Sequence, residues 1–233
     1  MKKNFILVLA MMLLPAAGFA QTSGRAGSLE WSIENNTLTI SGTGAMDDYD
    51  YESDGDITTA PWGVSFTSVI IKQGVTSIGE FAFAACSGLT SVTFPNSLTD
   101  IEGAAFAACS GLTSITLPNS LTSIGDGAFL GCSGLTSITL SNSLTSIGDG
   151  AFMDCSGLTS VSLPNSLTSI GKKTFAYCSG LTSVTVEWGQ PLIAGEILGG
   201  PDLKKSTLHV PAGTKSLYEA ADVWKEFGRI VEQ

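Results

Sequence analysis

Residues 106–128 read FAACSGLTSITLPNSLTSIGDGA, and residues 129–151 repeat them almost letter for letter as FLGCSGLTSITLSNSLTSIGDGA. The same 23-residue step carries Cys86, Cys109, Cys132, Cys155 and Cys178. It also carries Phe83, Phe106, Phe129, Phe152 and Phe175, and Leu89, Leu112, Leu135, Leu158 and Leu181. A partial unit comes first, since Val69, Ile71, Val75 and Ile78 stand 23 residues before Val92, Phe94, Leu98 and Ile101. Copies held in phase over this length are the signature of a repeat architecture.

Inside the unit, Leu89-x-x-Val92-x-Phe94 alternates as a short strand does, with Val92 inward and Ser91 and Thr93 outward. Pro95-Asn96 turns the chain, because proline fixes φ and lacks a donor. Leu98 and Ile101 send a second pair inward, and Gly125, Gly148 and Gly171 are expected to permit the next bend. One turn offers about seven inward apolar side chains, too few to fold alone, so the turns must stack. The predicted fold is a mainly β repeat solenoid. At the ~4.8 Å spacing of neighbouring strands, its coils make a rod on the order of 25–30 Å long.

This L-x-x-L-x-L strand within a 23-residue F-x-x-C unit resembles the BspA-type bacterial leucine-rich repeat family, over residues 66–186. The flanks are similar too: Leu38-Thr39-Ile40-Ser41-Gly42-Thr43-Gly44 with Ala60-Pro61-Trp62, and Thr207-Leu208-His209-Val210-Pro211-Ala212-Gly213 with Trp224-Lys225-Glu226-Phe227. The resemblance implies a leucine-rich repeat solenoid. It also implies an exported or surface protein credited with adhesion to host or microbial surfaces, with no catalytic residues and no cofactor. This copy departs from the family in its few repeats and in lacking an obvious C-terminal sorting or anchoring segment.

The expected organisation is a signal peptide at 1–20, an N-terminal cap at 21–65, the solenoid at 66–186 and an α/β C-terminal cap at 187–233. Lys2 and Lys3, an apolar run from Phe5 to Leu14, and Gly18-Phe19-Ala20 form the leader pattern. Its apolar run is shorter than the ~20 residues a spanning helix needs. The expected location is therefore a bacterial surface, the periplasm or the medium. Leu29-Glu30-Trp31-Ser32-Ile33 and Leu38-Thr39-Ile40 read as a hairpin about Asn35-Asn36. Ser216 with Glu219 reads as a capping box, opening a terminal amphipathic helix that carries Leu217, Ala221, Trp224, Phe227 and Val231 on one face.

Composition narrows the function. Hydrophobic residues are 43% of the 233, enough for a core, whereas charged residues are only 14%. The formal charge is −10 and the pI near 4.4, which argues against nucleic acid and against electrostatic docking on anionic membranes. Catalysis finds no support. His209 is the single histidine, it falls outward on a strand, and no G-x-S-x-G elbow is present. No cofactor motif or metal set accompanies the cysteine column. The thiols read as a buried column, with pairing between adjacent coils as the alternative, since such neighbours lie within bridging distance. Asp47, Asp48, Asp50, Glu52, Asp54 and Asp56 crowd one stretch, which reads as a mobile solvated loop. Asp50-x-Glu52-x-Asp54-Gly55 mimics half a calcium loop, but Pro61 stands where the closing Glu belongs.

Two surfaces are candidates for binding. One is the outward strand face: Ser91, Ser114, Ser137, Ser160 and Ser183 in one row, and Thr93, Thr116, Thr139, Ser162 and Thr185 in the other. It is rich in hydroxyls and lacks the Trp, Tyr and Arg of protein hot spots. The other is the C-terminal end of the solenoid, where the repeats diverge and Lys172, Lys173, Tyr177 and Trp188 gather. These four suit a protein ligand, such as a host matrix or microbial surface protein, or mark the passage into the cap. The strand face suits a glycan. A structural envelope component is the third reading.

Overall fold

The computed structural model describes residues 22–52, 57–192, 197 and 203–233. In chain order the N-terminal strands are β1 (Ser23–Ala26), β2 (Leu29–Glu34), β3 (Thr37–Gly42), β4 (Gly44–Ala45), β5 (Tyr51–Glu52) and β6 (Ile57–Thr58). Each following turn contributes two strands: β7 (Ser68–Ile71) and β8 (Val75–Ile78), β9 (Ser91–Thr93) and β10 (Asp100–Ile101), β11 (Ser114–Thr116) and β12 (Ser123–Ile124). Then come β13 (Ser137–Thr139) and β14 (Ser146–Ile147), β15 (Ser160–Leu163) and β16 (Ser169–Ile170), and β17 (Ser183–Val186). The C-terminal region adds β18 (Thr207–Val210), the short helix α1 (Lys215–Ala220) and β19 (Arg229–Glu232).

The chain winds as a mainly β solenoid of about seven turns. Register follows the repeat: Ser114, Ile115 and Thr116 pair in parallel with Ser137, Ile138 and Thr139. One face of the rod runs β1-β2-β3-β7-β9 and continues as β11-β13-β15-β17-β18-β19, and a second sheet runs β16-β14-β12-β10-β8-β4. The 23-residue period thus places identical residues opposite one another. One side chain repeated is a whole row on the surface or in the core.

The core is those rows. In one turn Leu112, Ile115, Leu117, Leu121, Ile124, Ala128, Phe129 and Cys132 are buried together. Phe83, Phe106, Phe129, Phe152 and Phe175 stack along the axis, with successive ring centroids 5.0, 5.4, 5.2 and 5.4 Å apart. Trp62 extends this stack at the N-terminal end, 5.7 Å from Phe83. Threonine hydroxyls tie coil to coil: Thr122 donates to the Thr99 carbonyl at 3.1 Å, and Thr145 to the Thr122 carbonyl at 3.0 Å. Ser141 stands where other turns have proline, and its hydroxyl accepts the Ser143 N–H at 3.0 Å, closing the turn by hydrogen bonding instead of by a ring.

The hairpin about Asn35-Asn36 forms as its sequence indicates, with both residues at positive φ (49° and 59°). Two expectations need correction. Gly125, Gly148 and Gly171 do not supply a positive-φ bend. They are needed for close approach, since a Cβ on Gly125 would lie 2.7 Å from the backbone nitrogen of Gly103 in the coil below. The left-handed bends occur elsewhere, in two rows described below.

The terminal amphipathic helix does not form either. Only Lys215–Ala220 is helical, its N-cap is Thr214 and not Ser216, and no side chain caps it. Ala221 turns extended, Val223 takes φ 70°, and the chain ends in β19, parallel to β18. Leu217 is exposed and Val231 is half-buried on a strand. The apolar spacing that imitates a helix instead buries Tyr218, Trp224 and Phe227 as a lid, with Tyr218 and Trp224 edge-to-face at 5.8 Å.

Candidate functional site

Two rows on the turn side of the rod take left-handed backbone angles. One is Phe81, Ala104, Gly127, Gly150 and Lys173; the other is Ala85, Ala108, Gly131, Asp154 and Tyr177. Positive φ suits glycine and costs an ordinary residue energy. The second and third coils meet this constraint with alanine or glycine at both positions, whereas the first carries Phe81 and the fourth Asp154. The last coil places Lys173 (φ 57°) and Tyr177 (φ 59°) there instead. Tyr177 is 58% exposed, the most exposed large hydrophobic residue described. Lys172 and Lys173 are exposed in the same turn, and the Lys172 N–H donates to Asp149 Oδ1 at 2.6 Å.

Trp188 does not join them. It is 4% exposed, its indole N–H donates to the Pro164 carbonyl at 3.0 Å, and its ring meets Trp224 edge-to-face at 5.7 Å. The Tyr218 hydroxyl donates to its carbonyl at 2.8 Å. Trp188 is a core residue of the C-terminal lid, a correction to its reading as a surface anchor. An isolated tryptophan at a repeat boundary gives the same sequence signal in either role.

On the strand face, Ser91, Thr93, Ser114, Thr116, Ser137, Thr139, Ser160 and Ser162 are exposed, and Ser183 and Thr185 are half-buried. Ser91 donates to the Ser68 hydroxyl at 2.9 Å. Among the described residues, the hydroxyls of Ser114, Thr116, Ser137, Thr139, Ser160 and Ser162 make no hydrogen bond, in contrast to the threonine rows that tie the coils. Register also extends this face beyond the repeats: Thr185 pairs with His209 and His209 with Val231, while Ser183 pairs with Thr207 and Thr207 with Arg229. The last two strands of the face therefore carry His209 on β18 and Arg229 beside Val231 on β19. Sequence reading missed Arg229, because it lay within the expected helix.

All five cysteines are free and buried. The thiols of Cys109, Cys132, Cys155 and Cys178 donate to the carbonyls of Phe83, Phe106, Phe129 and Phe152, 3.1 to 3.2 Å away in the preceding coil. Burial pushes the Cys86 and Cys132 thiols up to about 12 and Cys109 well above its ordinary value. Hydrogen bonding to Cys178, then burial, raises Cys155. Cys86, Cys109, Cys132 and Cys155, held as thiols and enclosed, are poor nucleophiles and poor metal ligands.

The acidic stretch is partly structural. Asp48 Oδ1 accepts the Glu80 N–H at 2.8 Å, as Asp126 Oδ1 accepts that of Asp149 at 2.7 Å higher up the rod. Asp48 thus belongs to a coil-to-coil contact and not to a mobile loop. Burial, then the charges of Asp100, Asp48 and Glu80, raise Glu102 above the ordinary carboxylate range. Asp54 and Asp56 lie outside the described residues. Among the described residues no cluster of three His, Cys, Asp or Glu side chains is arranged to hold a metal, and no helix is long and apolar enough to cross a membrane.

Comparison with known proteins agrees with this geometry. A leucine-rich repeat protein from Bacteroides ovatus is 28% identical with a TM-score of 0.58, over 72% of this chain and 43% of its own. The chain thus spans less than half of that relative. A leucine-rich repeat protein of T. pallidum is 26% identical with a TM-score of 0.52, over 87% of this chain and 92% of its own. No curated protein matches. The family model for the BspA-type leucine-rich repeat region matches residues 62–189 in six copies. The chain belongs to the BspA-type leucine-rich repeat family.

Proposed function

We propose that the protein is an exported, non-catalytic binding module that docks a protein ligand at its last coil, with Tyr177 as anchor and Lys172 and Lys173 beside it. The observation that carries this reading is the left-handed backbone at Tyr177. A tyrosine there stays mostly in solvent and bears a conformational cost that Gly131 avoids, so packing gives little reason for it. Strain at an exposed aromatic is a mark of a contact surface. The lysines add to it, since no Lys or Arg occurs between Lys72 and Lys172. The leader pattern of residues 1–20 supports export, and family membership supports a surface role with adhesion as its expression.

A panel of matrix and microbial surface proteins, run beside a glycan array, tests the reading. The expected result is a protein hit that weakens by at least ~1 kcal/mol with Tyr177→Ala, the size of a hot-spot loss. Binding to glycans alone would overturn it. A neutral glycan on the strand face is the second reading, favoured by hydroxyls on Ser114, Thr116, Ser137 and Thr139 that have no partner among the described residues. It predicts the reverse: loss on Thr116→Val with Thr139→Val, and indifference to Tyr177→Ala.

A further inference from the structure

Tyr177 is one end of a longer surface on the turn side of the rod. At the other end Tyr51, 40% exposed, stacks on Phe81 with ring centroids 6.1 Å apart. Phe81 opens the left-handed row that Lys173 closes, four coils further on. At ~4.8 Å per coil, Phe81 and Lys173 stand roughly 19 Å apart along the rod. Between them Leu130 and Met153, both half-buried, lean over Gly127 and Gly150; a Cβ on either glycine would meet the Cβ of that neighbour at 3.7 Å. The result is a continuous apolar strip with an exposed tyrosine at each end, the kind of surface that marks a contact.

The strip's own chemistry selects its occupant. The main chain beneath it is already paired: the N–H groups of Phe81, Ala104, Gly127 and Gly150 donate to carbonyls of the next coil, as do those of Ala85, Ala108, Gly131 and Asp154. An extended segment would find no open ladder there. A helix brings a main chain that is satisfied within itself and binds by its side chains. Charge supplies the rest. Glu80, Asp126 and Asp149 directly precede Phe81, Gly127 and Gly150 and are exposed, so carboxylates line one border of the strip. Among the described residues no Lys or Arg pairs with them. In the last coil Lys172 takes the place of the acid. A second copy of the chain carries the same acid row and cannot neutralise it along the strip.

We infer that the strip from Tyr177 to Tyr51 seats an amphipathic α-helix of a partner protein, about 13 residues long, with lysines or arginines on the flank that faces Glu80, Asp126 and Asp149. The inference names the partner's chemistry at the Tyr177 surface and rests on the reading of Tyr177 as its anchor.

A capped peptide of about 18 residues tests it, an alanine helix with leucines on one face and lysines on one flank. The control has the same composition in an order that scatters the leucines around the helix. Calorimetry on the full chain should show the first peptide binding at least ~tenfold more tightly than the second. Tyr51→Ala should weaken it about fivefold. Asp126→Asn with Asp149→Asn keeps the Oδ1 acceptors for the Asp149 and Lys172 N–H groups. That pair should weaken binding about threefold to tenfold while the melting temperature holds. Equal binding of the two peptides, or none by either, would overturn the inference without reference to any variant. Binding that falls with Tyr177→Ala but ignores Tyr51→Ala and the Asn pair would confine the contact to the last coil, sinking the strip and sparing the anchor. Binding that ignores Tyr177→Ala would overturn the anchor and the strip together. A concentration-dependent dimer that Tyr51→Ala dissociates would overturn the choice of occupant.

Discussion

The Cys132 thiol lies 3.2 Å from the carbonyl oxygen of Phe106, one coil below, and the same contact recurs at Cys109, Cys155 and Cys178. The cysteine row thus acts as a short side-chain donor inside the core as well as a small hydrophobe. Serine keeps a donor for Phe106 at the cost of a more polar group; alanine loses donor and volume together. We predict that Cys132→Ser and Cys132→Ala each destabilise by about 1–2 kcal/mol, with Ser no worse than Ala. Urea midpoints at equal slope check it. A serine variant several kcal/mol below the alanine one would show that the carbonyl is not a usable acceptor.

The thiols also set an alkaline limit. Cys86 and Cys132 ionise ordinarily near 9.0 and in the fold only at about 12, because burial opposes the thiolate. An acid whose pKa rises on folding stabilises fully below its unfolded value and loses that contribution as pH climbs toward the folded one. Stability should therefore be flat to about pH 8 and fall between 9 and 12, by up to ~1.4 kcal/mol per pH unit for each ionising thiol. Tyr49 and Tyr218, raised by burial from 10.0 to about 12, join above pH 10. Melting temperatures from pH 7 to 11 test this against Cys86→Ala with Cys132→Ala. Identical profiles would exclude the thiols as the cause.

Deleting residues 106–128 removes one whole turn and leaves Phe129 to stack on Phe83. The ladder closes again in register, and stability falls by roughly one nearest-neighbour contribution. Deleting residues 110–119 breaks the period, sending each later inward row to the wrong side. Circular dichroism melting should show a cooperative transition for the first and none for the second. Equal tolerance of both would contradict a register-locked solenoid.

The solenoid was legible because a 23-residue period writes the same inward set again and again, and one turn read correctly is every turn. The caps occur once, so each residue there is read without a second copy to check it. Leu217, Ala221, Trp224 and Phe227 fall at helical spacing, yet Val223 at φ 70° breaks any helix through them. Which way Trp188 points depends on Pro164 and Trp224, which lie 24 and 36 residues away in sequence. The extended strand face, with His209 on β18 and Arg229 and Val231 on β19, follows from strand register between the cap and β17, which no local pattern in residues 203–233 encodes.

Tyr177 offers the sharpest separation of fold from function. Its backbone sits at φ 59°, where glycine is at ease and a tyrosine is not, and its ring is mostly in solvent. Tyr177→Gly should leave the melting temperature unchanged or raise it, by up to ~1 kcal/mol of stability, because left-handed strain is relieved and little packing is lost. Trp188→Ala, by contrast, empties a buried site and loses the Pro164 hydrogen bond, costing about 3–5 kcal/mol. Against any protein ligand found in the panel, Tyr177→Gly should bind markedly less well while being at least as stable as the parent. Calorimetric binding and thermal melts on the same preparations measure both quantities. If Tyr177→Gly melts well below the parent, the tyrosine serves the fold, and the argument from strain to a contact surface is lost. If it is stable and binds as before, the anchor lies elsewhere on the rod.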